Sequence, residues 1–128
     1  MMSSQIYPSR ILVIEDNEDN LSLMRLLLER ANYEVLSAVD GFSGLELAQA
    51  ERPDLILLDL AMPEIDGWAV ARRLKGDITT RSIPIIAVTA HALPKDRERA
   101  FDAGCDAFIV KPFSVSKLIG EIEKLLDW

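Results

Sequence analysis

The chain has 128 residues, of which 49% are hydrophobic and 27% charged, and its formal net charge is −7. This length and composition predict a single globular domain and exclude a disordered tail. No apolar run approaches the ~18 residues of a membrane span, and the N-terminus does not resemble a signal peptide. The acidic charge argues against nucleic acid as a partner. One cysteine, Cys105, excludes an internal disulfide and indicates a reducing cytoplasm.

Short apolar runs of strand length alternate with helical patterns along the chain. The predicted strands cover residues 10–15, 34–38, 55–59, 83–89 and 107–110. The predicted helices cover residues 17–31, 43–51, 67–75, 94–103 and 115–126. Strict alternation of strand and helix predicts an α/β domain with a parallel sheet covered on both faces. We expect residues 1–8 to form a flexible extension and residues 9–128 to form the domain.

Residues with turn and capping preferences support these boundaries. Asn17 suits the cap of the first helix, and Ser114 suits the cap of the last. Pro94 favours a first helical turn and Gly104 a C-terminal cap, while Pro84 is acceptable only near a strand start or at an edge. The order of the strands cannot be read from this pattern.

Chemically reactive side chains lie where four of the five predicted strands end. The first strand ends at Glu15 and Asp16, the third at Asp59, the fourth at Thr89 and the fifth at Lys111. In parallel α/β sheets, ligands bind at the carboxyl ends of the strands. We therefore expect these side chains to form one site.

Three carboxylates at one sheet edge repel one another. Two unit charges ~4 Å apart cost about 4 kcal/mol at an effective dielectric constant of ~20. A divalent cation would remove this cost, and a few hard oxygen ligands with room for water favour Mg²⁺. A bound Mg²⁺ would attract a phosphoryl group, with Asp59 as the carboxylate nucleophile. Thr89 and Lys111 then offer a hydroxyl and a cation to the phosphoryl oxygens.

With these residues in view, the chain resembles a response-regulator receiver domain from about Ser9 onward. Asp59 precedes Thr89 by 30 residues and Lys111 by 52, which is similar to the spacing in that family. The motifs that carry the resemblance are Glu15-Asp16, LILLDLAMPEIDG at 55–67, VTA at 88–90 and Lys111-Pro112.

The resemblance implies a flavodoxin-like, doubly wound fold of five parallel strands in the order 2-1-3-4-5, with five helices. It also implies that Asp59 accepts a phosphoryl group from a histidine kinase or a histidine phosphotransfer protein. Mg²⁺, or alternatively Mn²⁺, would be bound by Asp16, Asp59 and the backbone carbonyl of Ala61, with Glu15 acting through water.

By the same resemblance, Thr89 and Lys111 contact the phosphoryl oxygens, and Thr89 and Phe108 form the conformational switch. The Lys111-Pro112 peptide bond is expected to be cis. The surface that changes would include helix 4, strand 5 and helix 5, with Leu93, Pro94, Phe108 and Lys117, and would bind a downstream protein. Because no output domain follows residue 126 in this sequence, we expect the output to be a protein–protein contact, unless the chain is a piece of a longer protein.

Ala61, two residues past the nucleophile, has no side chain that could position or exclude water. We therefore hypothesise that phosphate lifetime depends on His91, which lies two residues past Thr89. The other residues also have ordinary structural explanations: Thr89 as a β-branched strand residue, Phe108 as a core residue, and Cys105 as a small buried hydrophobe.

Three other classes of protein compete with a receiver domain. An aspartyl-nucleophile phosphatase would need a second acid at position 61, which is Ala61 here. A flavin- or nucleotide-binding domain would need a phosphate cradle rich in Gly, Ser or Thr after the first strand, where this chain has the acidic EDNEDN. The third alternative is a receiver-like binding module that no longer uses phosphorylation. The sequence therefore favours a phosphoacceptor signalling domain over an enzyme.

Overall fold

A computed structural model describes residues 8–62, 65–90 and 93–126 of the chain. The strands are β1 (Arg10–Ile14), β2 (Glu34–Ala38), β3 (Leu55–Asp59), β4 (Ile85–Thr89) and β5 (Ala107–Val110). The helices are α1 (Glu18–Arg30), α2 (Gly41–Glu51), α3 (Gly67–Gly76), α4 (Pro94–Asp102) and α5 (Val115–Leu126). Within these residues, no helix combines the length and apolar character needed to span a bilayer.

The five strands form one parallel sheet in the order β2-β1-β3-β4-β5, which confirms the predicted fold. Successive connections run outward from β1 in one direction to β2, and in the other direction through β3 to β5. The order therefore reverses between β1 and β3, where the loops that follow these two strands separate. Such a reversal creates a crevice at the carboxyl edge of the sheet.

The core consists of two apolar layers, one on each face of the sheet. Alternate strand residues such as Ile14 and Leu58 face α2, α3 and α4, whereas their neighbours Val13 and Leu57 face α1 and α5. All five residues of β3 are buried, so its continuous apolar run follows from coverage of both faces. Cys105 lies in the first layer, as predicted, and burial raises the pKa of its thiol to about 12.

Side-chain and backbone caps define the helix ends. The Oδ1 of Asn17 accepts a hydrogen bond from the Asn20 N–H at 2.9 Å, which confirms Asn17 as the cap of α1. Gly104, at φ +105°, follows the C-cap of α4, and its N–H donates to the Phe101 carbonyl at 3.0 Å. Glycine is favoured at this φ because it has no Cβ. The sequence predicted this glycine cap at the end of α4.

Seven predicted boundaries were wrong by one or two residues. Helix α1 covers residues 18–30 rather than 17–31, α3 ends at residue 76 rather than 75, and α4 ends at residue 102 rather than 103. The other three lie in β1, α2 and β4. The first strand ends at Ile14 rather than at residue 15. Helix α2 begins at Gly41 rather than at Ser43, because Asp40 caps it by accepting the Ser43 N–H at 2.7 Å. Strand β4 begins at Ile85 rather than at Ile83. The Ile83 N–H donates to the Thr80 carbonyl at 3.0 Å and closes a turn before the strand.

The start of α3 packs directly on the backbone that follows β3. A Cβ at Gly67 would lie 2.4 Å from the Leu60 Cα and 2.6 Å from the Asp59 carbonyl oxygen, closer than any side chain allows. The Gly67 N–H also donates to the Leu60 carbonyl at 3.1 Å. Because position 67 is glycine, the first residue of α3 can lie directly against the backbone of Asp59 and Leu60.

Candidate functional site

Three carboxylates gather at the carboxyl edge of the sheet. β1 and β3 are neighbours in register, so the residues that follow Ile14 and Leu58 emerge side by side. One carboxylate oxygen from each of Glu15, Asp16 and Asp59 lies within 4.8 Å of the other two. Glu15 and Asp59 are 4% and 7% exposed, whereas Asp16 is open to solvent. The donor set is therefore all oxygen and mostly shielded, which fits a hard divalent cation.

Lys111 supplies the positive charge nearest to this cluster. It follows β5, three places from β1 in the sheet, yet its Nζ lies 3.2 Å from Oε1 of Glu15. The Lys111 N–H donates to the Thr89 carbonyl at 2.8 Å, and the peptide bond between Lys111 and Pro112 is cis. In this structure the lysine therefore forms its ion pair with Glu15.

The environment of Asp59 disfavours its charged form. Burial and the negative charge of Glu15 raise the pKa of the Asp59 carboxyl to about 7. The Ala61 N–H, which donates to Asp59 Oδ1 at 3.1 Å, and the Lys111 ammonium oppose this rise. A cation placed among the three acids would lower this pKa, because it favours the ionised carboxylate.

The remaining predicted site residues lie at the end of β4, on β5 and in the segments that follow β3 and β4. Thr89 is 1% exposed at the end of β4, one residue past Val88, which pairs with Asp59 in the adjacent strand. Phe108 is half-buried on β5 and packs against the core layer of α2, α3 and α4. Ala61 is exposed and contributes its backbone N–H. His91 lies outside the described residues, so its predicted role is not addressed.

Backbone donors in the site were missed by sequence reasoning. The Asn17 N–H donates to Oε2 of Glu15 at 3.2 Å, which leaves that carboxylate held by Asn17 on one oxygen and by Lys111 on the other. Any residue type except proline supplies such an N–H, so no sequence signal could have located it. The pairing of Lys111 with Glu15 had a weak signal, since both charges were predicted at the same edge.

Residues 11–123 match the family of the response regulator receiver domain. This match spans most of the chain and agrees with the acidic cluster and with the strand order. The protein belongs to the response regulator receiver family, whose members act in two-component signalling.

Known proteins similar to this chain sharpen the assignment. It is 44% identical over 119 residues to the polar-differentiation response regulator DivK of Brucella anthropi, covering 93% of this chain and 97% of that protein. The DivK protein of Brucella ovis is 44% identical over 116 residues, which cover 91% of this chain and 94% of the relative. In sequence, this chain is therefore a DivK-like response regulator.

Solved structures support the same class. The receiver domain of a sensor histidine kinase from Pseudomonas aeruginosa PAO1, which has a magnesium ion coordinated in its active-site cleft, is 32% identical with a TM-score of 0.88. The alignment covers 94% of this chain and 99% of that domain. The chemotaxis protein CheY4 of Vibrio cholerae is 26% identical with a TM-score of 0.88, covering 93% of this chain and 99% of that one.

Proposed function

We propose that Asp59 accepts a phosphoryl group from a phosphohistidine of a sensor kinase or a histidine phosphotransfer protein. The observation that carries this proposal is the cluster of Glu15, Asp16 and Asp59, whose carboxylate oxygens lie within 4.8 Å of one another. Such a concentration of negative charge serves no packing purpose and suits a cation and a phosphoryl group. Asp59 is the best candidate nucleophile of the three, because it ends the central, fully buried strand β3.

The residues fit a divalent cation, with Mg²⁺ favoured and Mn²⁺ as an alternative. We assign Asp16, Asp59 and the backbone carbonyl of Ala61 as direct ligands, and Glu15 as a ligand through water. When bound, the ion would neutralise the carboxylates and the oxygens of an incoming phosphoryl group. The raised pKa of Asp59, about 7 without a cation, supports this assignment.

In the transfer step, a carboxylate oxygen of Asp59 attacks the phosphorus of the donor phosphohistidine. The new O–P bond forms as the P–N bond breaks, and the imidazole leaves with the bonding electron pair and takes up a proton from solvent. The Lys111 ammonium moves from Glu15 to a phosphoryl oxygen, and the Thr89 hydroxyl donates to another. Both contacts balance negative charge on the transferred group.

Hydrolysis reverses the modification, since a water attacks the same phosphorus and restores the Asp59 carboxylate with release of phosphate. The domain thus assists its own phosphorylation and dephosphorylation and acts as a signalling switch. The methyl side chain of Ala61 leaves space for this water, so we propose that His91 sets the phosphate lifetime. Comparing the dephosphorylation rates of wild type and His91→Ala tests this point, and equal rates would refute it.

We propose that the signal leaves through the surface formed by α4, β5 and α5. Contact of Thr89 with the phosphoryl group would be coupled to a new position of Phe108, and a downstream protein would bind the altered surface. Exposed apolar side chains support a protein partner there: Leu93 is 57% exposed and Val115 46%. Pro94 and Lys117, also exposed, border the same region. A cytoplasmic location agrees with the single unpaired cysteine.

Mass spectrometry after incubation with Mg²⁺ and acetyl phosphate tests the central proposal. We expect one added phosphate on wild type, none on Asp59→Asn, and one on the control Asp102→Asn, which changes an exposed acid of α4. An adduct that persists in Asp59→Asn would assign the phosphoacceptor to another residue. No adduct on any of the three proteins would favour a receiver-like module that works without phosphorylation.

A further inference from the structure

Charge is distributed unevenly along this acidic chain. Residues 67–104, which contain α3 and α4, carry seven Lys and Arg against four Asp and Glu, a formal charge of +3. The rest of the chain carries seven basic residues against seventeen acidic ones, a formal charge of −10. A positive region in a molecule that is negative elsewhere creates a local attractive field for anions.

Part of this positive charge lies along the line where α3 and α4 meet. Trp68 and Arg72 are four residues apart on α3, and Lys95 and Arg99 are four apart on α4, so each pair shares a helix face. The Arg99 guanidinium lies 4.1 Å from the centroid of the Trp68 ring and connects the two helices. We refer to these four residues as the α3–α4 seam.

The three cations of the seam are exposed and have no ion pair within the part of the chain that the structure describes. The six ion pairs found there involve other basic residues, such as Lys75, which lies 3.2 Å from Asp106. Although α4 also carries Asp96, Glu98 and Asp102, none of these forms an ion pair with a seam cation. Among residues 8–62, 65–90 and 93–126, the positive charge of the seam therefore has no ion-pair partner.

The Trp68 ring prepares Arg99 for binding an anion. The Trp68 ring lies against the Arg99 guanidinium, whose planar fork of N–H groups forms no hydrogen bond within the described part of the chain. That planar fork matches the two oxygens of a carboxylate. Trp68 itself is half-buried against the core, so the ring provides a fixed support.

We propose that the α3–α4 seam binds an acidic segment of a partner protein. The seam includes none of the acidic residues around Asp59. It shares α4 with the proposed output surface through Lys95 and Arg99, but it uses none of the β5 and α5 residues of that surface. Cations spaced by one helical turn, about 5.4 Å, match carboxylates presented one turn apart or along a short loop. A nucleic acid duplex would extend past this small area onto the acidic remainder of the surface, where its phosphates would be repelled.

Fluorescence polarisation with a short, labelled oligoglutamate tests the proposal on the full chain. The seam variant Arg72→Gln/Lys95→Gln/Arg99→Gln is compared with Arg25→Gln/Arg30→Gln/Lys124→Gln, which removes the same charge from α1 and α5. At low ionic strength we expect wild type to bind, the seam variant to bind about tenfold more weakly, and the control to stay within about twofold of wild type. Salt should weaken the binding to wild type.

Two further measurements make the result specific. Arg99→Lys keeps the charge but loses the planar fork, so its affinity should lie between those of wild type and the seam variant. In a Trp128→Phe background, addition of the peptide should change the fluorescence of Trp68. Circular dichroism establishes that every variant is folded.

The proposal is overturned if wild type does not bind the peptide, or if both triple variants lose equal affinity. Tighter binding of a DNA duplex, lost in the seam variant alone, would instead assign the seam to nucleic acid. A dimer in sedimentation velocity that disappears only in the seam variant would assign it to a second copy of this chain.

Discussion

The two edges of the sheet use charge in opposite ways. At the amino edge, charged groups have close partners: Arg10 lies 3.0 Å from Glu51, its backbone N–H donates to Asp54 at 2.7 Å, and the Lys75 Nζ lies 3.2 Å from Asp106. At the carboxyl edge, three acids lie close together, and among the described residues Lys111 is the cation that forms an ion pair with them. The first arrangement connects loops and helices, whereas the second holds an excess of negative charge ready for a ligand.

Lys111→Met should have the largest effect on function. Without the ammonium, phosphoryl oxygens lose the side-chain cation that we assign to them, and the rate of phosphate incorporation should fall about 100-fold. Lys75→Met removes a lysine from the opposite edge and should leave this rate within about twofold. Time courses with Mg²⁺ and acetyl phosphate measure both. Equal losses in the two variants would contradict the contrast between the edges.

Gly67→Ala should damage the support of the carboxyl edge. The added methyl group meets the backbone of Leu60 and Asp59, so we expect the free energy of unfolding to fall by about 3 kcal/mol. Gly120→Ala is the matched control, because nothing lies within 4 Å of its new Cβ in α5. This substitution should raise the free energy of unfolding by about 0.5–1 kcal/mol. Urea unfolding curves measure both free energies. A Gly67→Ala variant as stable as wild type would contradict the close contact between position 67 and the backbone of Leu60 and Asp59.

Lys75→Met should lower stability without affecting phosphorylation. The Lys75 Nζ donates to the Arg81 and Ile83 carbonyls at 3.1 and 2.9 Å as well as to Asp106, so we expect a loss of about 2 kcal/mol. Lys117→Met, which breaks an exposed pair with Glu121, should cost less than about 0.5 kcal/mol. Urea denaturation measures both losses of stability. Equal losses in Lys75→Met and Lys117→Met would show that the amino edge does not stabilise the fold as described.

Asp59→Asn should raise the free energy of unfolding by about 1 kcal/mol at pH 8 without metal, because it removes a charge that the folded protein disfavours. The folded pKa of about 7 exceeds the unfolded value of about 4, so the folded state binds the extra proton between these pH values. Wild-type stability should therefore fall as pH rises from about 4 to 7, and Asp59→Asn should lack this slope.

Urea denaturation across this pH range measures the effect, and the exposed-site variant Asp102→Asn serves as the control. Added Mg²⁺ should stabilise wild type at pH 8 more than it stabilises Asp59→Asn, since the ion binds the ionised carboxylate. A wild-type stability that is independent of pH, or a metal effect that is equal in both proteins, would contradict the electrostatic description of the cluster.

Much of this architecture could be predicted because hydrophobic spacing distinguishes strands from helices. Alternation alone required a parallel sheet, and strand ends then placed Asp16, Asp59 and Thr89 at one edge. The strand order came from the family resemblance, since an apolar pattern records which residues are buried but not which strand lies beside which. The division at residue 8 and the role of His91 remain predictions.

The errors have local causes. Asp40 and Ser43 are both good capping residues, so residue type alone did not show that Asp40 is the cap and that α2 begins at Gly41. The partner of Lys111 depends on how far its side chain reaches across β4 and β3, which residue spacing does not describe. The amide donors of Asn17 and Ala61 depend on backbone conformation rather than on residue type.

The buried Cys105 has a practical consequence for studying this molecule. Because its thiol has a pKa of about 12, almost no reactive thiolate is present near neutral pH. Since Cys105 is also buried, we expect the native protein to react with maleimide reagents as though it had no cysteine. A single cysteine introduced at an exposed position could be labelled selectively while Cys105 stays in place. Spectroscopic probes could then be attached to the α3–α4 seam or to the output surface without altering the core.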